Sequence, residues 1–290
     1  MKSFRKGIPV VFGLLLLCGC KVTTEPTVQD YRLDTFPSWS NDGATVAFTG
    51  NYNGVGGIYL VDTAGTNLRV LVAGVVNGGS WSPDSKWLAF AASDGIYKIK
   101  ANGDSVTRLT NSIYDYHPAW SPDGSKIAFI RMTVGVMVYD IPTGEIVELF
   151  QSGSSPSWHS GGELVVVAGS GSTQGATYSF YAIRDSAVWR TLFSFGTTES
   201  CTYSSVNPTG GTEQEIAYSL TPASGYTQIW KVVLATGGRV PLTTDGGYGP
   251  AWSPDGSKIV YTRTQQGDGG LWIMNSDGSG KHRLTSPSPS

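Results

Sequence analysis

One short motif, repeated at near-constant intervals, limits this chain to very few architectures. Trp81-Ser82-Pro83-Asp84 returns as Trp120-Ser121-Pro122-Asp123-Gly124 and as Trp252-Ser253-Pro254-Asp255-Gly256. Weaker copies are Trp39-Ser40-Asn41-Asp42-Gly43 and Trp158-His159-Ser160-Gly161-Gly162, and in Val206-Asn207-Pro208-Thr209-Gly210 a valine stands for the tryptophan. The equivalent positions 39, 81, 120, 158, 206 and 252 are separated by 42, 39, 38, 48 and 46 residues. A period of about 40–45 residues is that of a four-stranded propeller blade.

The chemistry inside each unit agrees. Pro presets φ for a turn, Ser and Asp bond nearby backbone groups, and Gly accepts a positive φ at the end. A strand pattern follows each turn, as in Lys126-Ile127-Ala128-Phe129-Ile130. Alternate residues of a strand point to opposite faces. Here both faces are apolar, so the strand must lie between two neighbouring sheets. A hairpin completes each unit, as in Ile96 to Thr110 around Asn102-Gly103 and Leu271 to Thr285 around Asp277-Gly278. Asn-Gly and Asp-Gly are strong hairpin signals. One sheet cannot bury both its faces, but a closed ring can. The expected fold is all-β: a six-bladed propeller of four-stranded antiparallel blades over residues 34–285. The blades are expected at about 34–72, 73–110, 111–150, 151–195, 196–244 and 245–285, with a tail at 286–290.

These residues resemble the PD40, or WD40-like, repeats of the TolB family. The matching pattern is Pro-x-Trp-Ser-Pro-Asp-Gly, a Lys-Ile-Ala-Phe-like strand, an Ile-Tyr-like strand and an Arg-Leu-Thr ending. The resemblance covers nearly the whole chain after its first segment and implies an envelope propeller that docks partners. It does not extend to the α/β domain that precedes the propeller in TolB, so a role in the Tol–Pal system does not carry over with it. Fold alone does not dictate function.

The first twenty residues read as an export signal. Lys2, Arg5 and Lys6 precede the apolar run Gly7 to Leu17, which is too short to span a bilayer. Leu17-Cys18-Gly19-Cys20 resembles a bacterial lipobox, with Cys18 where Ala or Ser is more usual, and it makes Cys20 the residue to be lipidated. Residues 21–33 are polar and read as a tether. Lys21 stands where an Asp would favour inner-membrane retention, so the expected location is the periplasmic side of the outer membrane. Removal of residues 1–20 takes away three positive charges and no negative ones, so the net charge of −2 becomes −5. No Lys/Arg cluster remains to suggest nucleic acid. The third cysteine, Cys201, stands alone in the domain and reads as a small buried residue.

Catalytic signatures are few and weak. No Gly-x-Ser-x-Gly elbow is present, which argues against a peptidase of the prolyl-oligopeptidase type. Gly278-Ser279-Gly280-Lys281 lacks the earlier Gly of a phosphate loop, because Asn275 occupies that place. His117, His159 and His282 fall in different units, so neither a metal nor any other cofactor is expected. The turn aspartates Asp42, Asp84, Asp123 and Asp255 are explained by turn chemistry, and the tryptophans by core packing rather than glycan stacking.

The remaining expectation concerns a face. The Ser-Pro-Asp-Gly turns occupy one end of the blades and read as structural. The opposite end collects the variable loops and the blade-to-blade connections. There Asp34, Phe36, Asp115, Tyr116, His117, Tyr203 and Tyr248 should crowd the channel mouth and form the partner-binding surface. The expected function is a monomeric, membrane-anchored module that binds or scaffolds an envelope protein. A small-ligand or glycan-binding propeller is the alternative, and a polysaccharide lyase a more distant one.

Overall fold

The strands fall where the repeat puts them. A computed structural model describes residues 34–170, 177–184, 187–196, 199–210, 214–222, 225–263 and 269–285. The signal, Cys20, the tether, the 286–290 tail and part of the loop after Gly169 lie outside the described residues. Blade 1 comprises β1 (Thr35–Trp39), β2 (Thr45–Tyr52), β3 (Val55–Asp62) and β4 (Arg69–Ala73). Blade 2 comprises β5 (Val76–Trp81), β6 (Trp87–Ala92), β7 (Gly95–Lys100) and β8 (Thr107–Arg108). Blade 3 comprises β9 (Asp115–Trp120), β10 (Lys126–Arg131), β11 (Gly135–Asp140) and β12 (Ile146–Phe150). Blade 4 comprises β13 (Ser154–Trp158), β14 (Leu164–Ser170), β15 (Thr177–Arg184) and β16 (Ala187–Ser194). Blade 5 comprises β17 (Ser200–Val206), β18 (Glu215–Thr221), β19 (Gln228–Val233) and β20 (Gly238–Pro241). Blade 6 comprises β21 (Tyr248–Trp252), β22 (Lys258–Arg263), β23 (Gly270–Asn275) and β24 (His282–Arg283).

Each blade is an antiparallel sheet of four consecutive strands, and no helix occurs among the described residues. The first strand of each sheet lies against the first strands of its two neighbours, and β1 meets β21, which closes a ring of six. The chain is therefore a six-bladed β-propeller. Among the described residues, no blade borrows a strand from another.

The apolar pattern on both faces of the second strands is used as the repeat requires. Phe129 packs against Ala91 and Ile96 of blade 2, while Ala128 and Ile130 pack against Leu164, Val166 and Ile183 of blade 4. Equivalent clusters fill the other four junctions, the last joining Val46, Phe48 and Val61 of blade 1 to Val260, Leu271 and Ile273 of blade 6. Tryptophans stitch the inner strands together. Trp39 Nε1 donates to Ala251 O at 3.2 Å, Trp81 Nε1 to Ser38 O at 3.3 Å and Trp158 Nε1 to Ala119 O at 3.0 Å, each across a blade boundary.

The repeated turn works as its residues suggest. In blade 3, Ser121 Oγ donates to Asp123 at 2.6 Å and accepts from the amide of Lys126 at 2.9 Å, while the Ser125 amide donates to Asp123 at 3.0 Å. Blades 1, 2 and 6 repeat the set around Asp42, Asp84 and Asp255. These bonds stabilise the charged carboxylates. They hold Asp123 and Asp255 down at about 2, with the Ser121 and Ser253 hydroxyls as the largest cause. Gly124 has φ +74°, a left-handed conformation that favours glycine.

The ring is fastened where it begins and ends. Asp34 is fully buried. Its carboxylate accepts from Thr285 Oγ1 at 2.6 Å and from the Tyr52 hydroxyl at 3.0 Å, and its carbonyl accepts from Thr262 Oγ1 at 2.8 Å. Thr285 also receives the amide of Leu271 at 3.0 Å, a role that Thr110 and Thr243 repeat for Ile96 and Ile229. The Thr of Arg-Leu-Thr is thus a structural acceptor in each blade that carries it.

Candidate functional site

Every innermost strand contains a break in register, and the breaks shape the channel. The shifts fall between Thr35 and Ser38, Asn77 and Gly79, Ser154 and Ser157, Cys201 and Ser204, and Tyr248 and Ala251, and in blade 3 opposite Ala128 to Ile130. Three residues before each Trp-equivalent position stand Phe36, Gly78, His117, Ser155, Tyr203 and Gly249. Five of these have φ between 50° and 61°: Phe36, Gly78, His117, Ser155 and Gly249. For a residue with a side chain, the left-handed region costs about 1–2 kcal/mol. The bulge turns this side chain toward the ring axis.

Large and small residues alternate around the ring at this level. Blades 1, 3 and 5 contribute Phe36, His117 and Tyr203, and blades 2, 4 and 6 contribute Gly78, Ser155 and Gly249. The three rings meet. Phe36 and His117 centroids are 5.1 Å apart, Phe36 and Tyr203 5.5 Å, and His117 and Tyr203 5.7 Å. Tyr116 adds an edge-on contact to His117 at 4.9 Å, and Tyr248 lies 6.1 Å from Tyr203. Aromatic pairs at these separations attract one another beyond simple burial. The result is a plug across the end of the channel where the blade connections lie.

The seven residues expected at the mouth divide into two groups. Phe36, Tyr116, His117, Tyr203 and Tyr248 do converge, but all five are half-buried rather than exposed. Asp34 and Asp115 do not face solvent: their exposures are 0% and 2%. Asp34 is taken up by the clasp described above. Asp115 receives a bidentate Arg131, at 2.7 Å from Nε and 2.9 Å from Nη2. Sequence position placed both acids in surface connections, but donors on neighbouring segments draw their carboxylates inward.

The other end of the channel is open. There Pro37, Pro118, Pro156 and Pro250, two residues before Trp39, Trp120, Trp158 and Trp252, line a well of about 370 Å³ together with edges of these tryptophans and of Trp81. Trp39, Trp81 and Trp252 keep exposures of 8%, 6% and 5%, so they serve as core as well as wall. Ser38, Ser80, Ser157 and Ser205 add hydroxyls to the lining. This end was read from the sequence as purely structural. Four prolines at one repeat position were the signal that it encloses space.

Among the described residues, no three His, Cys, Asp or Glu side chains are placed to hold a metal ion. His117, His159 and His282 belong to blades 3, 4 and 6. Cys201 is buried, and burial pushes its thiol well above the usual range.

A model of the TolB beta propeller domain family, PD40, matches residues 24–192. The chain belongs to this family. An uncharacterized protein of Agrobacterium fabrum is 30% identical over 149 residues, 43% of this chain and 51% of that protein. A TolB homolog of Chlorobium luteolum is 30% identical over 117 residues, 38% of this chain and 27% of that protein. The chain thus matches about half, or less, of the length of these relatives. The crystal structure of TolB from Acinetobacter baumannii superposes with a TM-score of 0.70 at 19% identity, covering 81% of this chain and 62% of that one. An oligogalacturonate lyase in complex with manganese gives a TM-score of 0.59 at 18% identity, covering 88% and 77%. At these identities the structures share the fold.

The plug of this TolB-family propeller carries a titratable ring. Burial lowers the His117 pKa from 6.5 to about 4. The neutral ring is therefore favoured in the folded state. Between pH 6.5 and 4 the unfolded chain binds more protons at this site, so its contribution is complete above pH 6.5 and is lost as pH falls toward 4. The expected loss is roughly 2 kcal/mol, allowing for water at the half-buried ring. Urea midpoints measured from pH 7 to pH 4 check this. His117→Phe is expected to remove this site's share of the slope, and an unchanged slope would count against the burial argument.

Proposed function

We propose that this chain is a membrane-anchored TolB-like propeller that binds a protein partner in the bacterial cell envelope. One observation carries the reading: the channel is closed at one end by Phe36, His117 and Tyr203 and opens at the other into a well about 370 Å³ in volume. A blocked channel offers no route for a substrate to pass through. A blind well lined by tryptophan edges and prolines suits an inserted apolar side chain or loop, with the acidic turns around it as a polar rim. The family membership, and the name TolB among the relatives, support an envelope setting. Anchoring rests on Cys20 and its lipobox-like context. The aromatics of the mouth act in this reading as the seal of the channel, with Asp34 and Asp115 bracing it from within.

The well is also large enough for a small ligand. A photo-crosslinking side chain at Ser160, which is exposed at the well's edge, separates the two readings. In intact envelopes it is expected to capture one defined protein, with little or no capture from Ser105 on an outer hairpin. Equal capture from both positions, or none from Ser160, would remove the well as a protein site. Competition of the Ser160 adduct by an oligosaccharide would favour the ligand reading.

A further inference from the structure

Where the chain enters the propeller, where its exposed apolar side chains lie and how its charges are distributed all point to one surface. Asp34, the first described residue, stands at the connection end of β1, beside Thr285. If Cys20 carries lipid, residues 21–33 are the whole link between the bilayer and this end, and fully extended they reach roughly 45 Å. The link therefore leaves from the plugged end, not from the end that holds the well.

That same end carries exposed apolar side chains. Val75 is 87% exposed, Ile113 68%, Tyr114 52% and Met132 51%. Val75 precedes β5, Ile113 and Tyr114 precede β9, and Met132 follows β10, so all four sit at the connection end of blades 2 and 3. The Met132 amide donates to Tyr114 O at 2.9 Å, which holds these two side by side. Val55 and Tyr226, at 43% and 72%, extend the set to blades 1 and 5. Among the described residues, the other large exposed hydrophobics lie on the outer strands or the segments leading into them, and none belongs to a turn around the well.

Charge divides in the same way. At the connection end, Asp94 meets Arg108 at 3.2 Å, Asp115 meets Arg131 at 2.7 Å and Asp245 meets Arg263 at 2.6 Å. Each of these three carboxylates is balanced by an arginine. The turn end displays Asp42, Asp84, Asp123, Asp140, Asp255 and Asp277, held ionised by their turn bonds; Lys86, 3.9 Å from Asp84, and Lys126, beside Asp123 and Asp140, offset part of this charge. An anionic leaflet repels such a face within a Debye length and is indifferent to the neutral one.

We propose that the connection face rests on the bilayer, with Val75, Ile113, Tyr114 and Met132 in the headgroup region and the well turned away from the membrane. This rests on the anchoring reading above. Met, Ile and Val bury apolar area there, and Tyr114 keeps its hydroxyl at the wet boundary. The surface contact supplements a lipid anchor and fixes which end of the ring a partner meets.

The test uses the mature lipidated protein in vesicles of phosphatidylethanolamine and phosphatidylglycerol. A fluorophore is attached through Tyr114→Cys or, on the turn end, through Lys86→Cys; buried Cys201 is expected to remain unlabelled. Flotation with the vesicles reports the anchor by itself. Quenching by spin-labelled lipid reports the face, and is expected to be roughly threefold or more stronger at 114 than at 86 for a side chain within the interfacial 5–10 Å. Flotation with equal quenching at both positions, or with stronger quenching at 86, overturns the proposed face and leaves the anchor standing. Failure to float removes the anchor and this proposal together, and leaves the Ser160 crosslink as a separate question.

Discussion

Asp34→Ala is expected to lower unfolding stability by about 3–5 kcal/mol. The carboxylate is fully buried and accepts from both Thr285 and Tyr52. Its removal leaves two hydroxyl donors without that acceptor in a dry site, at about 1–3 kcal/mol each, and opens a small void besides. The effect should be concentrated at one place, because among the described residues no strand crosses between blades 6 and 1 to hold them together. Hydrogen exchange is expected to show β1 and β21 losing protection before β9 and β13. Thr285→Val, which keeps the shape and removes the hydroxyl, should cost less, about 1–2 kcal/mol. A loss below about 1 kcal/mol for Asp34→Ala would mean that the apolar junction alone closes the ring.

Phe129→Ala is expected to cost a similar amount, about 3–5 kcal/mol, for a different reason. Phe129 is fully buried and lies against Ala91 and Ile96 across a blade boundary and against Met137 in its own sheet. Neither blade can move in to fill the space, because each is held on its other face by another blade. The cavity cost should therefore stay near the top of the range. Phe129→Leu, which refills most of the volume, should cost about 1 kcal/mol. Urea unfolding checks both: the midpoint should fall with little change in slope. A cost of only about 1 kcal/mol for the alanine variant would show that blades 2 and 3 close up readily.

These two sites mark what could and could not be read from the chain. Phe129 belongs to a unit that recurs six times, and a repeated junction must repeat its chemistry. The strand with two apolar faces is therefore enough to imply the ring. Asp34 and Asp115 were legible as positions near the mouth but not as buried groups. Their partners Thr285 and Tyr52, and Arg131, lie on other segments of the chain, and only the closed ring or the paired sheet brings them within bonding distance. The plug was half legible. Phe36, His117 and Tyr203 stood out as aromatics, but Gly78, Ser155 and Gly249 concealed that all six hold one structural position. A bulge with positive φ has no sequence signature when glycine fills only some of its copies. The well was hidden for a related reason. Pro37, Pro118, Pro156 and Pro250 belong to the repeat one at a time, and only the closed ring makes them a wall.

Each blade of this ring is a contiguous run of chain, and the two ends of the ring touch at Asp34 and Thr285. The place where the polypeptide starts is then almost a matter of indifference to the architecture. Cutting between any two blades and joining the present ends with a few residues would leave every four-stranded sheet complete. If Cys20 is lipidated as proposed, such a rearranged chain would also be tethered from another point on the rim of the ring. The order of blades along the gene thus leaves the stability of the ring untouched and sets only the point on its rim at which the chain enters.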